Sequence, residues 1–459
     1  MSRTVRRLVR DMRTKGSVPH HDHGYRRGAD PRAMREANRR LVLNCIRQQG
    51  PLARVTIARR TGLSRTTVSS LVDALLHEGL VREGEPQSAP PSGGRRPILV
   101  HFNEAAGYVL GVDLGRTHYT VIAADLAAHE LARESGPCNT DCGPEATLGL
   151  LVDALRTFAS AHQITWDRVV GIGMGIPGPL DRLRRTLVSP PRMPGWHGVE
   201  IDRLLGRELH LPIYIGNDAN MGALGESRFG AGRDVEVLTY VKVGTGIGCG
   251  LVMNGRVYTG SRGVAGELGH VTLDEDGPLC ECGNRGCLET LAGGPAIVAD
   301  ALKHQSGVDA VRDAGNAGAT TGAASAVGVA SAVGDAVDIS DVVRAAQAGD
   351  AASRAAIERA GERLGIALAG VVNLVNPSLI LLDGGVARAG ELLIDPIRRA
   401  IAARSLAAAS DGLRIEQAAL GAHAIAMGGI AAVLDAAFAH TTSTEASLLA
   451  SAAASAAAP

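Results

Sequence analysis

The chain has 459 residues, of which 45% are hydrophobic, 20% charged and only 3% aromatic, with 58 glycines. That length predicts two or three domains of roughly 100–200 residues each, and the composition excludes a fibrous or wholly disordered chain. The formal net charge is zero, yet residues 1–100 carry about 20 Lys and Arg against about 8 Asp and Glu. A basic end on an acidic body fits a nucleic-acid-binding module joined to something else, with a solvated basic face as the plainer alternative.

Residues 1–33 are rich in Arg, His and Gly without an apolar period, and read as a disordered basic tail. From Asn38 the pattern turns helical, with Leu41, Val42, Cys45 and Ile46 on one face until Gly50-Pro51. A second helix over 55–61 and a third over 65–78 follow, then two short strands around the Pro/Ser/Gly-rich loop 86–94. Residues 34–102 therefore read as a winged helix-turn-helix. From 107 to about 438 strands and helices alternate, which is an α/β pattern. It starts with two hairpin strands (108–113, 119–125), a helix (145–162) and a buried strand (169–175). A helix–strand–helix series follows (204–209, 212–215, 219–229), then two strands joined by a glycine turn (237–243, 248–253). Residues 304–336 are almost all small and read as a low-complexity insertion; after it come helices over 341–348 and 352–374 and a strand over 379–382. Residues 441–459 read as a second disordered tail.

No stretch reads as a membrane span, because Asn373, Asn376 and Pro377 interrupt the apolar run 364–380. There is no apolar h-region of a secretory signal, so the cytoplasm is the expected compartment.

Three constellations carry chemistry. The first is the third helix, where Val68, Leu71, Val72 and Leu75 make the buried stripe and Ser64 is a plausible N-cap. This leaves Ser64, Arg65, Thr66, Thr67 and Ser69 near the exposed N-terminal end, where a recognition helix meets base edges and phosphates. Arg95 and Arg96 would stand on the wing tip, within reach of a groove or backbone. A three-helix bundle used for protein contacts is the alternative.

The second is His270 with Cys280, Cys282 and Cys287, spaced H-x9-C-x-C-x4-C. Three thiolates and an imidazole suit a tetrahedral structural Zn2+ with no open position; buried free thiols are the alternative. The third is a set of glycine turns: Asp113, Gly115 and Thr117 between two strands, Gly244, Thr245 and Gly246 between two more, and Gly384-Gly385 after a buried strand. Each could bring backbone amides, and at Asp113 a carboxylate, to a metal-bound phosphate, although tight hairpins use the same residues.

Taken in order, these pieces resemble the ROK family of repressors and sugar kinases. The resemblance covers 107–437 and rests on Gly173-Met174-Gly175-Ile176-Pro177-Gly178-Pro179, Asn217-Asp218-Ala219-Asn220, Gly266-Glu267-Leu268-Gly269-His270, the cysteine cluster ending in Leu288-Glu289, and Asn376-Pro377. It implies a two-lobed actin-like ATPase (ROK/sugar kinase) α/β fold behind the winged helix-turn-helix of the family's repressor branch. It further implies a sugar site of Gly178, Asn217, Asp218, Glu267, His270 and Glu289. In the family's kinases the residue at the Asp218 position is the general base; His270 would give one ring nitrogen to zinc and the other to the sugar. The first glycine turn departs from the kinase pattern, since Arg116 replaces its second glycine and would crowd a triphosphate. Expected partners are operator DNA, a sugar or phosphosugar effector and a second copy in a homodimer or homotetramer. A DNA-binding regulator whose ATP/Mg2+ site is doubtful, and an ATP-dependent sugar kinase carrying an appended DNA-binding domain, are the two readings left.

Overall fold

The computed structural model describes residues 31–86, 97–181, 186–188, 193–313 and 337–438. Three helices open it, α1 (Pro31–Gln49), α2 (Arg54–Thr61) and α3 (Arg65–His77). Helix α2 ends because Gly62 adopts φ +70°, a left-handed conformation that costs a residue without a Cβ little. Helix α3 starts where the Ser64 hydroxyl accepts the Thr67 N–H at 3.1 Å. Strands β1 (Leu52–Ala53), β2 (Val81–Pro86) and β3 (Ile98–Phe102) form one antiparallel sheet in the order β1-β3-β2. The predicted wing is thus present, with the two-residue β1 as an extra strand too short to carry a pattern. Buried Arg39 is clamped by Glu78, binding α1 to the end of α3 (Nε–Oε2 3.2 Å). Arg95 and Arg96 lie outside the described residues, as do residues 1–30 of the expected basic tail and all of the tail expected over 441–459; residues 31–33, expected to be disordered, instead open α1.

The rest is one strand plan used twice. In the first lobe, β4 (Tyr108–Leu114), β5 (His118–Asp125) and β6 (Glu130–Pro137) form an antiparallel meander. Strands β7 (Val169–Ile176) and β10 (Ile213–Asn217) add in parallel on the other side of β4. Helices α4 (Pro144–Ala161) and α5 (Ile201–Leu209) cover one face, and β8 (Leu180–Asp181) pairs with β9 (Thr186–Leu187) as a small hairpin. Every residue of β7 is buried, as expected of an apolar strand covered on both sides. Strand β6 is a largely exposed edge with a polar sequence, so no apolar alternation announces it. Helix α6 (Asp218–Phe229) then leaves β10 for the second lobe. There β11 (Val237–Val243), β12 (Ile247–Met253) and β13 (Arg256–Val257) repeat the meander. Strands β14 (Leu379–Asp383) and β15 (Arg414–Gln417) repeat the parallel addition.

Around the second sheet stand α7 (Leu288–Ala292), α8 (Gly294–Asp313), α9 (Ile339–Gln347), α10 (Ala351–Val375), α11 (Glu391–Arg404) and α12 (Ala407–Ser410). Helix α8 runs into the segment read as an insertion, whose residues 314–336 lie outside the described ones. Among the described residues no helix is long and apolar enough to cross a membrane.

The last helix, α13 (Ala424–Ala437), returns to the first lobe and binds three bodies together. A Cβ built at Gly173 of β7 would stand 1.9 Å from the Gly429 carbonyl, and one at Gly428 only 1.8 Å from the Met221 carbonyl of α6. Helix α6 meets the second sheet just as closely, since a Cβ at Gly250 would lie 2.5 Å from the Ala219 carbonyl. Backbone thus touches backbone from the first sheet through α13 and α6 to the second. Beyond its far end, Phe438 is buried in the winged-helix core. Its ring meets Phe102 edge-on with centroids 5.8 Å apart. The Arg47 guanidinium lies 4.7 Å from the same ring, and Asn44 Nδ2 donates to the Phe438 carbonyl at 3.1 Å. Asp435 pairs with Arg228 at the end of α6 at 2.7 Å.

Phe438 is therefore the pin of the winged helix. Phe438→Ala should remove about 3–5 kcal/mol of docking and packing. Calorimetry is expected to show the winged helix unfolding ahead of the body, and a single transition at the unchanged temperature would contradict the assignment.

Candidate functional site

The cleft between the lobes is built from strand ends and from the start of α6. Asn217 closes β10 and caps α6, accepting the Asn220 N–H at 3.1 Å, while its Nδ2 donates to the Gly178 carbonyl at 3.2 Å. The N-cap alternative for this pair is thus met by Asn217, and the same geometry joins Gly178 to it. Asp218 opens the helix: its Oδ1 accepts the Ala219 N–H at 2.8 Å, and its Oδ2 receives the Lys242 ammonium at 3.0 Å.

Opposite stands the second glycine turn, between β11 and β12. Glu289 on α7 accepts the Ile247 N–H at 2.9 Å, and a Cβ at Gly246 would lie 2.3 Å from the same carboxylate oxygen. The glycine turn and the hydroxyl-binding residues therefore adjoin. The Gly294 N–H donates to the Gly244 carbonyl at 2.8 Å, which fixes the turn against α8. Glu267 lies beside His270, Oε2 to Nε2 3.9 Å. Burial pushes the Glu267 carboxyl above its ordinary value; the charges of Asp218 and Glu289 add to this and His270 opposes it. Of the six residues expected to meet a sugar, Asp218, Glu267, His270 and Glu289 are linked by contact or charge, and Asn217, next to Asp218 in the chain, brings in Gly178.

The third turn sits against the second. Gly384, at φ +93°, would place a Cβ 2.3 Å from the Val243 carbonyl, so only glycine fits after β14. Its N–H donates to Asp383 Oδ1 at 2.6 Å, and Tyr240 donates its hydroxyl to the other oxygen of Asp383. The first turn is a β4–β5 hairpin in which the Gly115 N–H donates to the His118 carbonyl at 2.9 Å, and the Thr117 carbonyl accepts from Cys138. Arg116 is exposed there, 3.8 Å from Asp141. Asp113 is only 4% exposed and its Oδ1 has no hydrogen-bond partner. Burial raises its carboxyl above the ordinary value, with Asp218 and Asp383 adding to the shift and Lys242 and His118 opposing it.

His270, Cys280, Cys282 and Cys287 come together, with all four candidate ligand atoms within 4.8 Å of one another. The His270 Nδ1–Cys280 Sγ and Cys282 Sγ–Cys287 Sγ separations are both 3.7 Å. Two sulfurs on one tetrahedral ion at metal–sulfur bonds near 2.3 Å lie about 3.8 Å apart, so the residues fit a metal. Nδ1 faces the thiols and Nε2 faces Glu267, so the two ring nitrogens point to different sets of groups.

On the winged helix, Ser64, Arg65 and Thr66 are exposed, and Thr67 and Ser69 are half-buried. Ser64 also bonds the Thr66 and Thr67 hydroxyls, at 2.9 and 2.8 Å. Its first task is therefore the cap, and Arg65 and Thr66 remain the exposed members of the set, with Ser69 only partly open to solvent. Arg54 braces this face, pairing with Asp73 of α3 at 2.7 Å and Glu83 of the wing at 2.9 Å.

Residues 109–436 match the ROK family. The chain belongs to it. Residues 41–85 match the IclR helix-turn-helix domain. The xylose repressor of Caldicellulosiruptor bescii is 31% identical over 404 residues, covering 87% of this chain and 96% of the relative. The solved structure of a ROK family transcriptional regulator, a homologue of the Escherichia coli MLC protein, superposes with a TM-score of 0.72 at 27% identity, covering 90% of this chain and 99% of that one. A ROK glucokinase from Streptomyces griseus, in complex with glucose and AMPPNP, gives 0.59 at 27% identity, covering 70% and 98%. The two-lobed fold behind a helix-turn-helix is therefore the fold of this ROK protein.

Two residues escaped the sequence reading. Lys242, half-buried against Asp218, was legible as the single charge in the otherwise apolar strand β11. Phe438 had no local signal, because α13 is apolar all round and shows no helical period.

The orphaned charge at Asp113 gives a pH test. Below the ordinary carboxylate range Asp113 is protonated whether the chain is folded or not, and its burial is tolerated. As pH rises through its elevated folded value the penalty for ionising sets in. Asp113→Asn should thus raise the melting temperature at pH 7 and lose that advantage toward pH 4. A lower melting temperature at both pH values would show that the charge is needed by the fold.

Proposed function

We propose that this ROK protein is a sugar-responsive transcriptional regulator, acting in the cytoplasm as a repressor of carbohydrate genes. The sugar binds among Gly178, Asn217, Asp218, Glu267, His270 and Glu289, whose fixed donors and acceptors suit a polyol. An unmatched hydroxyl in such a site costs about 1–3 kcal/mol. The carrying observation is that α6 begins at Asp218 in the cleft and ends at Arg228, which is paired to Asp435 one turn before Phe438 in the winged-helix core. A sugar that draws Asn217 and Asp218 toward the second lobe acts on the helix pair that holds the DNA-binding unit. It shifts the population only through its different affinities for the two arrangements. A dimer, or a tetramer built as a dimer of dimers, presents pairs of such units to half-sites about 34 Å apart.

The cysteine–histidine cluster holds Zn2+. With four protein ligands the ion orders the loop and gives His270 a fixed tautomer and aim. Cys287→Ser should abolish one equivalent of zinc by elemental analysis and weaken sugar binding by calorimetry. Loss of zinc with unchanged sugar affinity would separate the metal from the sugar site.

Arg65, with Thr66, Thr67 and Ser69, reads the operator in the major groove, and Arg95 and Arg96 contact the flanking backbone. In gel-shift or anisotropy titrations Arg65→Ala should cost about 1–3 kcal/mol at the cognate operator and less on unrelated DNA. The decisive assay measures operator affinity across neutral and phosphorylated sugars; equal affinity with and without every sugar would sink the regulator reading. The second reading, an ATP-dependent sugar kinase, draws on Asp218 and on the Gly244–Gly248 and Gly384-Gly385 turns, with Arg116 against it, and ADP release in the same sugar panel would favour it.

A further inference from the structure

A nucleotide-using cleft of this fold needs a divalent cation beside the phosphates, and hard carboxylate oxygens are the donors such a cation takes. Three carboxylates converge here: Asp113 from the first glycine turn, Asp218 from the start of α6, and Asp383 from the third turn. The space among them is too wide to be a ready-made ion site, since among the described residues their oxygens do not all lie within 4.8 Å of one another.

That space holds the Lys242 side chain. Lys242 lies two residues before the second glycine turn and pairs in register with Asp383 across β11 and β14. Its ammonium is 3.0 Å from Asp218 Oδ2. Although burial works against its charge, Asp218, Asp113 and Asp383 together hold the ammonium protonated well above the ordinary lysine range. Buried Asp113 has one oxygen, Oδ1, with no hydrogen-bond partner; the charges that favour its ionised form are those of Lys242 and of His118, 4.0 Å from Oδ2. An ion at an ordinary 2.1 Å from the same Asp218 oxygen would stand within about 5 Å of the ammonium, where like charges repel. The first turn departs in the same direction, since Arg116 stands where a glycine would let backbone approach a phosphate.

We infer that Lys242 is a built-in cation that takes the seat of the divalent metal, and that the cleft accordingly accepts a polyol alone, with no metal–nucleotide beside it. Lys242 is then the residue that sets the ligand class. The polyol rests on the sugar-responsive reading; the exclusion of the metal does not.

The test is Mn2+ titration of the zinc-loaded full chain, with bound ion read by electron paramagnetic resonance. The wild type is expected to hold no more Mn2+ than its Asp113→Asn variant. Lys242→Met, which keeps the length and removes the charge, should gain one site at least about tenfold tighter than any wild-type background. Adding Asp113→Asn to that variant should abolish the gain. Wild-type binding that Asp113→Asn removes would overturn the inference, as would a folded Lys242→Met protein, by circular dichroism and zinc content, that gains nothing. The wild-type comparison stands even where Lys242→Met fails to fold, and Lys242→Gln then supplies the second arm. An operator response indifferent to every sugar would remove the polyol and leave the metal result intact.

Discussion

Everything in this molecule depends on the close crossing of α6 and α13. Helices normally meet with axes 8–10 Å apart, separated by side chains. Here Gly225 and Gly428 remove those side chains, and the carbonyls of Met221 and Ala424 come within van der Waals distance of the opposite backbone. Backbone in direct contact has no side chain to rotate out of the way, so a displacement of one helix passes to the other. Because α13 is seated on the first sheet with equal closeness and α6 on the second, the crossing also defines how the two lobes can move.

The position of the DNA-binding unit follows from the same crossing. Its core is continuous with α13, with Val42, Ile46, Val100, Ile430, Val433, Leu434 and Phe438 in a single cluster. A winged helix of this size buries too little apolar surface to be indifferent to such support. Sharing a core makes it an extension of the two-lobed body, where a tethered bead would move independently.

Electrostatics give the cleft its character. Asp113, Asp218, Glu267, Glu289 and Asp383 bring five carboxylates around one space, against which Lys242 is the fixed internal cation. Carboxylates in that number accept hydrogen bonds from hydroxyls and hold one another's charge in check. Four are held by local devices, Asp218 and Glu289 by backbone N–H groups, Asp383 by Tyr240 and Gly384, Glu267 by the ring that also faces the cysteine thiols, while Asp113 keeps an oxygen without a partner.

The sequence by itself determined the parts whose chemistry is local. The helix-turn-helix was legible because the Val68–Leu75 stripe, the Gly62 turn and the Ser64 cap are neighbours in the chain. The metal cluster was legible because ligand type and spacing are written within eighteen residues, His270 to Cys287. The glycine turns and the Asn217-Asp218 pair were readable as motifs, and their order pointed to the ROK plan. Tertiary structure alone decided what lies far apart in sequence. Strand β6 is a polar edge without a period, and α13 is almost wholly apolar and buried but for Asp435 and its neighbours, so neither broadcasts a face. The pin at Phe438 exists only because the chain's last helix returns to its first domain, 394 residues from Asn44. The ammonium among three carboxylates, likewise, joins residues 113, 218, 242 and 383, which meet only when two sheets face each other. Pattern encodes which face of an element is wet or dry; which buried faces meet is settled by packing.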